Sequence, residues 1–308
     1  MSLAFLYAGQ GSQHPGMGAD LYEAHPAFRA VLDTAGVDFD LKTTMFTAPD
    51  GVLNLTEYTQ PCMVAFAAGM TALLAERGIV PDYAAGLSLG EYSALQCAGV
   101  FTAPQAISLA AFRGKAMAAA AAGRPCGMTA VLGLDREKLQ EACRQAAGAG
   151  VVEIANYNCP GQLVIGGEQA AVDKAAALAK ELGAKRCLPL KVSGPFHTSL
   201  LAPAGDALRE KFKETAFGAM RIPVLFNCLG REMGPEDTIP ALLEKQVQTS
   251  VYMEDTIRRL AELGVDTIVE IGPGKALSGF VKKTAPAIKT YAVETCADLD
   301  ALSAALKG

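Results

Sequence analysis

The stretch PDYAAGLSLGEYSALQCAG, residues 81–99, holds a strand signal and a helix signal on the two sides of one serine, Ser88. Residues 81–86 form a short segment bounded by proline and glycine, which is typical of a buried strand. Residues 89–99 carry apolar side chains at helical spacing and stop at Gly99, which predicts a helix. We therefore expect Ser88 on a strand-to-helix turn.

Ser88 is also the centre of a G-x-S-x-G pattern, Gly86-Leu87-Ser88-Leu89-Gly90. In many hydrolases this pattern places a nucleophilic serine on a sharp turn with its hydroxyl exposed for attack. Glycine at both ends lets backbones cross closely, and a helix N-terminus favours a developing oxyanion. The alternative is an ordinary serine N-cap, which the five-residue pattern leaves open and the flanking strand and helix disfavour.

Composition limits the classes of protein to which this chain can belong. The 308 residues are 51% hydrophobic and 19% charged, enough for one large domain or a domain with an insert. A net charge of −5 argues against general nucleic-acid binding. The eight cysteines lie far apart without a C-x-x-C pair, which predicts neither a metal site nor a disulfide framework but small buried residues of a reducing compartment.

The N-terminal sequence MSLAFLYAGQGSQ lacks a basic region, and its apolar run is too short for a signal peptide. No apolar run in the sequence reaches membrane-spanning length. We therefore expect a cytoplasmic protein without a membrane partner.

Strand and helix signals alternate along the chain, which predicts an α/β fold with a mainly parallel sheet covered by helices. The strands are expected at 3–8, 81–86, the first part of 266–283, and 289–294, and the helices at 61–78, 89–99, 104–123, the last part of 266–283, and 298–307. Proline stands at the predicted first position of the helix 61–78 and glycine at its end.

One segment departs from this alternation. Residues 126–191 read as strand, helix, strand, strand, helix and strand, the β-α-β-β-α-β order of a ferredoxin-like unit. The sequence therefore predicts a ferredoxin-like subdomain at 126–191, inserted into a core made of 1–125 and 192–308.

A nucleophilic serine needs a base, and the chain has three histidines. His14 and His25 lie in polar N-terminal segments, whereas His197 follows a Gly-Pro turn where the insert rejoins the core. The alternative is that His197 is a structural histidine, but its position where the insert rejoins the core favours a role as the base. No carboxylate follows it closely, so we expect a neutral carbonyl to orient the ring.

The turn AGQGSQ, residues 8–13, follows the first predicted strand. Its glycine spacing fits neither the dinucleotide fingerprint nor a phosphate loop, so nucleotide binding is disfavoured. Parallel strands bring this turn to the same sheet edge as Ser88, where its backbone N–H groups could complete an oxyanion hole with that of Leu89.

Arg113 projects from the apolar face of the predicted helix 104–123. A buried guanidinium is costly without an anion, so one alternative is an internal salt bridge. The other is that its planar fork holds a carboxylate of the substrate.

Six motifs follow one another along nearly the whole chain: GQGSQ (9–13), TQP (59–61), GLSLGEYSAL (86–95), RG (113–114), GPFH (194–197) and EIGPGK (270–275). Together they resemble the malonyl-CoA:acyl carrier protein transacylases of bacterial type II fatty acid synthesis. The resemblance implies an α/β-hydrolase-like core with a ferredoxin-like subdomain.

The resemblance also implies roles for individual residues. Ser88 is the nucleophile, His197 is the base, and Gln246 offers its backbone carbonyl to His197. The backbone N–H groups of Gln10 and Leu89 form the oxyanion hole, and Arg113 binds the malonyl carboxylate. Asn156 is a polar residue near the site, and Phe196 is a bulky residue that favours malonyl over methylmalonyl. The family often has Asn-Pro soon after this glutamine, whereas this chain has Thr249-Ser250.

The activity so implied is a ping-pong transfer of malonyl from coenzyme A, through a malonyl-serine, to the phosphopantetheine thiol of acyl carrier protein, with no metal and no redox cofactor. Three alternatives remain: a serine esterase or thioesterase that uses water, an acyltransferase serving a polyketide synthase, and a binding protein with an inactive site.

Overall fold

The computed structural model describes residues 1–192 and 194–307. Its strands are β1 Leu3–Tyr7, β2 Tyr83–Gly86, β3 Cys126–Leu132, β4 Val152–Cys159, β5 Gln162–Glu168, β6 Arg186–Pro189, β7 Leu225–Phe226, β8 Arg231–Glu232, β9 Val251–Tyr252, β10 Thr267–Ile271 and β11 Lys289–Val293. Its α-helices are α1 Ala19–Ala24, α2 Pro26–Asp33, α3 Leu41–Phe46, α4 Thr56–Glu76, α5 Gly90–Cys97, α6 Ala103–Ala121, α7 Arg136–Ala146, α8 Gln169–Glu181, α9 Ala202–Phe212, α10 Ile239–Gln246, α11 Met253–Glu262, α12 Ala276–Thr284 and α13 Cys296–Lys307. Short 3-10 turns lie at Pro49–Asn54, Ala147–Ala149 and Ser199–Leu201.

The chain folds into two compact units. The first contains residues 1–114, 216–225 and 258–308, and the second contains residues 115–215 and 226–257. The segment 126–191, predicted as an inserted subdomain, lies inside the second unit.

A parallel sheet forms the centre of the first unit. Its strand order is β11-β10-β1-β2, and every neighbouring pair is parallel. All five residues of β1, the run LAFLY, are buried. A continuous apolar run of this kind is what a parallel strand needs, because helices cover such a sheet on both faces. The prediction of an α/β fold with a mainly parallel sheet is confirmed here.

The buried strand β10 carries one acidic residue, Glu270. Its side chain is 0% exposed, and its two carboxylate oxygens accept the backbone N–H groups of Leu277 and Ser278 at 3.0 and 2.7 Å. These N–H groups lie in the first turn of α12, where a helix has donors without intrahelical partners. The carboxylate therefore fixes the helix that follows the Gly-Pro-Gly turn of the EIGPGK motif.

Helix α4 corrects one prediction. It begins at Thr56, five residues before the predicted start, and Pro61 lies inside it. A proline near the N-terminus of a helix removes few intrahelical hydrogen bonds and is tolerated there. Pro61 therefore did not have to be the first residue of α4. The helix is long and apolar enough to cross a membrane, but 78% of its most apolar 18-residue window is buried, as in a core helix.

The second unit is built around a five-stranded sheet with the order β6-β3-β5-β4-β9. The pairs β3–β5, β3–β6 and β4–β5 are antiparallel, and β4–β9 is parallel. Helices α7 and α8 pack on this sheet through an apolar core that includes Leu139, Ala142, Ile165, Val172 and Ala175. The two-residue strand β9 was not predicted, because so short a segment has no readable alternation.

Candidate active site

Ser88 lies on the turn between β2, which ends at Gly86, and α5, which begins at Gly90. The turn is held to the central strand by a 2.9 Å hydrogen bond from the Leu87 N–H to the Tyr7 carbonyl. The backbone of Ser88 has φ 52°, in the left-handed region that residues other than glycine rarely adopt. Strained backbone of this kind costs about 1–3 kcal/mol and clusters at functional sites.

The two glycines of the pattern make this corner possible. A Cβ atom on Gly86 would lie 2.1 Å from the Gly90 carbonyl carbon, and one on Gly90 would lie 2.3 Å from the Tyr7 carbonyl oxygen. Both distances are far inside van der Waals contact. Glycine is therefore required at both positions by the close crossing of strand and helix.

The N-cap position of α5 is occupied by Leu89, whose side chain makes no capping bond. The Ser88 hydroxyl instead accepts a hydrogen bond from Arg113 Nη2 at 3.1 Å. The ordinary N-cap interpretation of Ser88 therefore does not describe this side chain, and the hydroxyl lies beside a cation.

Arg113 is 0% exposed, as its place on the apolar face of α6 predicts. Its Nη1 donates to Gln60 Oε1 at 2.8 Å, and its guanidinium carbon lies 5.5 Å from the centre of the Tyr92 ring. Burial lowers the pKa of Arg113, and the neighbouring Tyr92 and Glu91 act in the opposite direction. The guanidinium therefore has internal polar and acidic neighbours and also presents a donor to the candidate nucleophile.

Gln60 was not identified as a site residue from the sequence, although its motif TQP was noted. It is 1% exposed, and its Nε2 donates to Gln10 Oε1 at 3.4 Å. Gln10 Nε2 in turn donates to Thr56 Oγ1 at 3.1 Å. Gln60 thus connects Arg113 to the turn that carries Gln10. Gln60 is the fifth residue of α4 and lies just before the helix predicted at 61–78, so the signal available in the sequence was its place in the TQP motif.

The turn after β1 is closed by its own side chains. The Gly11 N–H donates to Gln13 Oε1 at 2.7 Å, and the Ser12 hydroxyl donates to the Gly9 carbonyl at 3.3 Å. Such bonds fix the backbone of the turn. The predicted oxyanion donors, the N–H groups of Gln10 and Leu89, both belong to the first unit with Ser88 and Arg113.

His197 is buried in the second unit, and its Nδ1 lies 2.8 Å from the Gln246 carbonyl oxygen. A carbonyl only accepts, so Nδ1 carries the proton and Nε2 of the neutral ring is left as the basic nitrogen. The structure thus brings together the predicted base and the predicted neutral acceptor. His197 also has a positive φ, 62°, like Ser88.

Asn227 supports this pair and was missed by sequence reasoning. It is 0% exposed, and its Oδ1 accepts from the Gln246 side-chain Nε2 at 3.5 Å. Its backbone carbonyl accepts the Tyr252 N–H at 2.9 Å. Nothing in the local sequence distinguishes this amide from any other, because its partners are distant in the chain.

The segment that departs from the family pattern, Thr249-Ser250, is anchored in its own way. The Ser250 hydroxyl donates to the Ile154 carbonyl of β4 at 2.6 Å, immediately before β9 begins. The hydroxyl therefore holds the end of the Gln246 segment to the sheet.

Asn156 and Phe196, the two remaining predicted site residues, also lie in the second unit. Asn156 is half-buried on β4, opposite Val251 of β9. Phe196 is 7% exposed and directly precedes His197. Phe196 therefore shares a chain segment with the candidate base, and Asn156 lies on the strand that pairs with β9.

A family model described as "Acyl transferase domain" matches residues 4–299. The chain is 40% identical over 294 residues to the malonyl CoA-acyl carrier protein transacylase of Bacillus subtilis (strain 168), covering 94% of this chain and 93% of that one. The crystal structure of MCAT from Streptococcus pneumoniae is similar with a TM-score of 0.94 and 45% identity, covering 99% of this chain and 100% of that one. A type II polyketide synthase acyl-carrier protein has been solved in complex with its malonyl-transacylase, and the match has a TM-score of 0.95, 37% identity and coverage of 99% of this chain and 100% of that one. Each match extends over nearly all of the chain.

Proposed function

Because this chain belongs to the malonyl-CoA:acyl carrier protein transacylase family, we propose that it transfers malonyl from coenzyme A to the phosphopantetheine thiol of acyl carrier protein in fatty acid biosynthesis. It is a serine acyltransferase, and malonyl-CoA and acyl carrier protein are its two partners. The individual residue roles below are part of the proposal.

The observation that carries the proposal is the contact between Arg113 and Ser88. A fully buried guanidinium donates to the hydroxyl of the strained serine at 3.1 Å. Charge-assisted bonds from a planar fork suit a carboxylate, and malonyl differs from acetyl by a carboxylate. An acyl group esterified to Ser88 would therefore carry its carboxylate close to this cation.

In the proposed first half-reaction, the Ser88 oxygen attacks the thioester carbonyl carbon and its proton moves to His197 Nε2. The backbone N–H groups of Gln10 and Leu89 stabilise the oxyanion. Collapse breaks the carbon–sulfur bond, and the coenzyme A thiolate takes the proton back from the imidazolium. The Gln246 carbonyl, 2.8 Å from Nδ1, keeps the ring in the tautomer that this step needs.

In the proposed second half-reaction, the carrier thiol gives its proton to His197 and attacks the malonyl ester. Collapse of the tetrahedral intermediate breaks the bond between the malonyl carbonyl carbon and the Ser88 oxygen, and this oxygen takes the proton from His197. The cycle is ping-pong and uses acid–base and nucleophilic chemistry only, so we propose no metal and no redox cofactor. Asn156 and Phe196 are proposed to line the acyl site.

The finer architecture is proposed on the same basis. An α/β-hydrolase-like core, 1–125 and 192–308, would carry the nucleophile, and a ferredoxin-like subdomain at 126–191 would be inserted into it. The sheet order β6-β3-β5-β4 with antiparallel pairs supports the second assignment. A cytoplasmic location is proposed from the family to which the chain belongs.

A thioesterase would use the same serine but release free malonate. The similarity to transacylases over nearly the whole chain does not favour that alternative. A polyketide pathway would use the same chemistry with a different carrier protein.

Mass spectrometry of the intact protein tests the proposal. After mixing with malonyl-CoA, the wild-type protein should gain one malonyl group, and Ser88→Ala should gain none. Adding acyl carrier protein should remove the adduct and produce malonyl-carrier. Free malonate released without a carrier would support the thioesterase instead, and an adduct on Ser88→Ala would contradict the nucleophile assignment.

A further inference from the structure

Three large apolar side chains are exposed close together at and beyond β6. Leu188 is 45% exposed, Leu190 37% and Val192 37%. Strand β6 stands at one end of the sheet order, next to β3. The pairing continues past the strand, since the Leu190 N–H donates to the Met128 carbonyl at 2.9 Å. Clustered apolar side chains on a surface mark an interaction site.

The strand has one covered face and one open face. Cys187 lies on the covered face, where its thiol donates to the Ala176 carbonyl of α8 at 3.4 Å. Successive side chains on a strand point to opposite faces, so Leu188 points away from the α8 side. The exposed leucine is therefore on the face that the helices of the second unit do not cover.

Basic side chains surround these apolar ones. Lys185, Arg186 and Lys191 are exposed. The segment 180–192 contains four cations, the fourth being Lys180, and one anion, Glu181, which gives a net charge of +3 in a chain of net charge −5. We define the β6 patch as the six residues Lys185, Arg186, Leu188, Leu190, Lys191 and Val192.

The outer edge of β6 is not suited to receive an added strand. Pro189 has no N–H to donate, and the Val192 N–H is engaged with the Leu190 carbonyl at 3.1 Å. Proline on an outer strand is typical of edges protected against pairing with another chain. A partner would therefore contact side chains rather than extend the sheet, and an amphipathic helix fits this requirement.

We propose that the β6 patch binds an acidic helix of the carrier protein, with its apolar side chains against Leu188 and Leu190 and its carboxylates against the cations. This proposal rests on the proposed function, which requires a carrier. An acidic partner is repelled by a chain of net charge −5, so a locally positive surface is needed for docking. Val192 is five residues before His197, so the two residues are at most about 18 Å apart and the β6 patch lies close to the candidate base.

A second basic cluster lies on α12, with Lys282 and Lys283 in its last turn. The large apolar side chains of that helix are buried, Leu277 being 1%, Phe280 8% and Val281 0% exposed. Charge is thus present there without the apolar contact that an amphipathic helix requires. The β6 patch combines both.

The test measures the carrier and coenzyme A substrates separately. Leu188→Ser/Leu190→Ser and Lys191→Glu alter the β6 patch, while Val80→Ser, at a site 65% exposed, and Lys282→Glu are the matched controls. Each variant is assayed for KM of the carrier, for malonyl-enzyme formation from malonyl-CoA, and for transfer to free pantetheine, which lacks a protein surface.

Both patch variants should raise the KM of the carrier by about tenfold or more, and Lys191→Glu should also weaken its salt dependence. Malonyl-enzyme formation and transfer to pantetheine should stay within about twofold of wild type. An unchanged carrier KM in both patch variants, or an equal rise in Lys282→Glu, would overturn the proposal. Failure of the unaltered protein to form a malonyl-enzyme would instead contradict the proposed function.

Discussion

Removing the Arg113 guanidinium should invert the preference of the enzyme between malonyl-CoA and acetyl-CoA. Arg113→Met keeps an apolar side chain of comparable length on the buried face of α6 and removes the charge. Malonyl would then place its carboxylate in a buried site without the cation. Acetyl has no carboxylate, so its binding does not depend on the Arg113 guanidinium. Arg113→Lys retains the charge but not the planar fork.

The expected fall in kcat/KM for malonyl-CoA follows from the number of hydrogen bonds that Arg113 makes to malonyl. Arg113 already gives Nη1 to Gln60 and Nη2 to Ser88, at 2.8 and 3.1 Å. A hydrogen bond to a charged group contributes about 1.5–3 kcal/mol. Two such bonds to malonyl would contribute about 3–6 kcal/mol, and each 1.4 kcal/mol is about tenfold. We therefore expect the kcat/KM for malonyl-CoA to fall at least about 100-fold in Arg113→Met, with acetyl-CoA changing less than about threefold.

The stability of each Arg113 variant must be measured alongside its activity. The change leaves the buried Gln60 Oε1 without its Arg113 donor, which costs about 1–3 kcal/mol, and it relieves the desolvation of a buried cation. The assay is kcat/KM for both thioesters in wild type, Arg113→Met and Arg113→Lys, with a thermal melt of each. Equal losses for both thioesters in a stably folded variant would refute the reasoning and make Arg113 a structural residue.

Three other changes test separate parts of the molecule. Phe196→Ser should raise the use of methylmalonyl-CoA relative to malonyl-CoA by roughly tenfold in a competition assay, because a methyl-sized fit contributes about 1–3 kcal/mol; an unchanged ratio counts against this role. Asn227→Ala should lower the free energy of unfolding by about 0.5–1.5 kcal/mol in a denaturant titration, because the hydrogen bond from the Gln246 amide to Asn227 is lost, and it should lower kcat; wild-type stability would show that the contact contributes nothing. Hydrogen bonding to the Pro15 carbonyl and to Glu294 raises the pKa of His14 above 6.5, so its stabilising effect is complete below the unfolded pKa and is lost as pH rises through the folded pKa. His14→Gln should therefore lower the Tm more at about pH 5.5 than at about pH 8.5, and an equal shift at both would contradict this.

Local patterns predicted the parts of the site that depend on local geometry. The corner around Ser88 was predictable because a strand signal, two glycines and a helix signal are consecutive. The burial of Arg113 was predictable because its spacing from apolar residues on one helix fixes the face it occupies.

Distant contacts left no such pattern. Gln60 and Asn227 are ordinary amides in the sequence, and their importance comes from partners 53 and 19 residues away, Arg113 and Gln246. The start of α4 was misplaced because Pro61 satisfies the rule for a first helical position while the helix tolerates it one turn later. The sheet order β11-β10-β1-β2 joins strands that are far apart in sequence, which periodicity does not report.

The pairing of β1 with β2 has a consequence for how the enzyme can be altered. Tyr7 is in register with Gly86, and the Leu87 N–H bonds to the Tyr7 carbonyl, so the alignment of two strands determines where Ser88 stands. A shift of one residue would displace the serine by about 3.3 Å and turn it to the opposite face. Length changes between Tyr83 and Gly90 would therefore remove the nucleophile from its place, whereas substrate choice can be redesigned through the side chains around it.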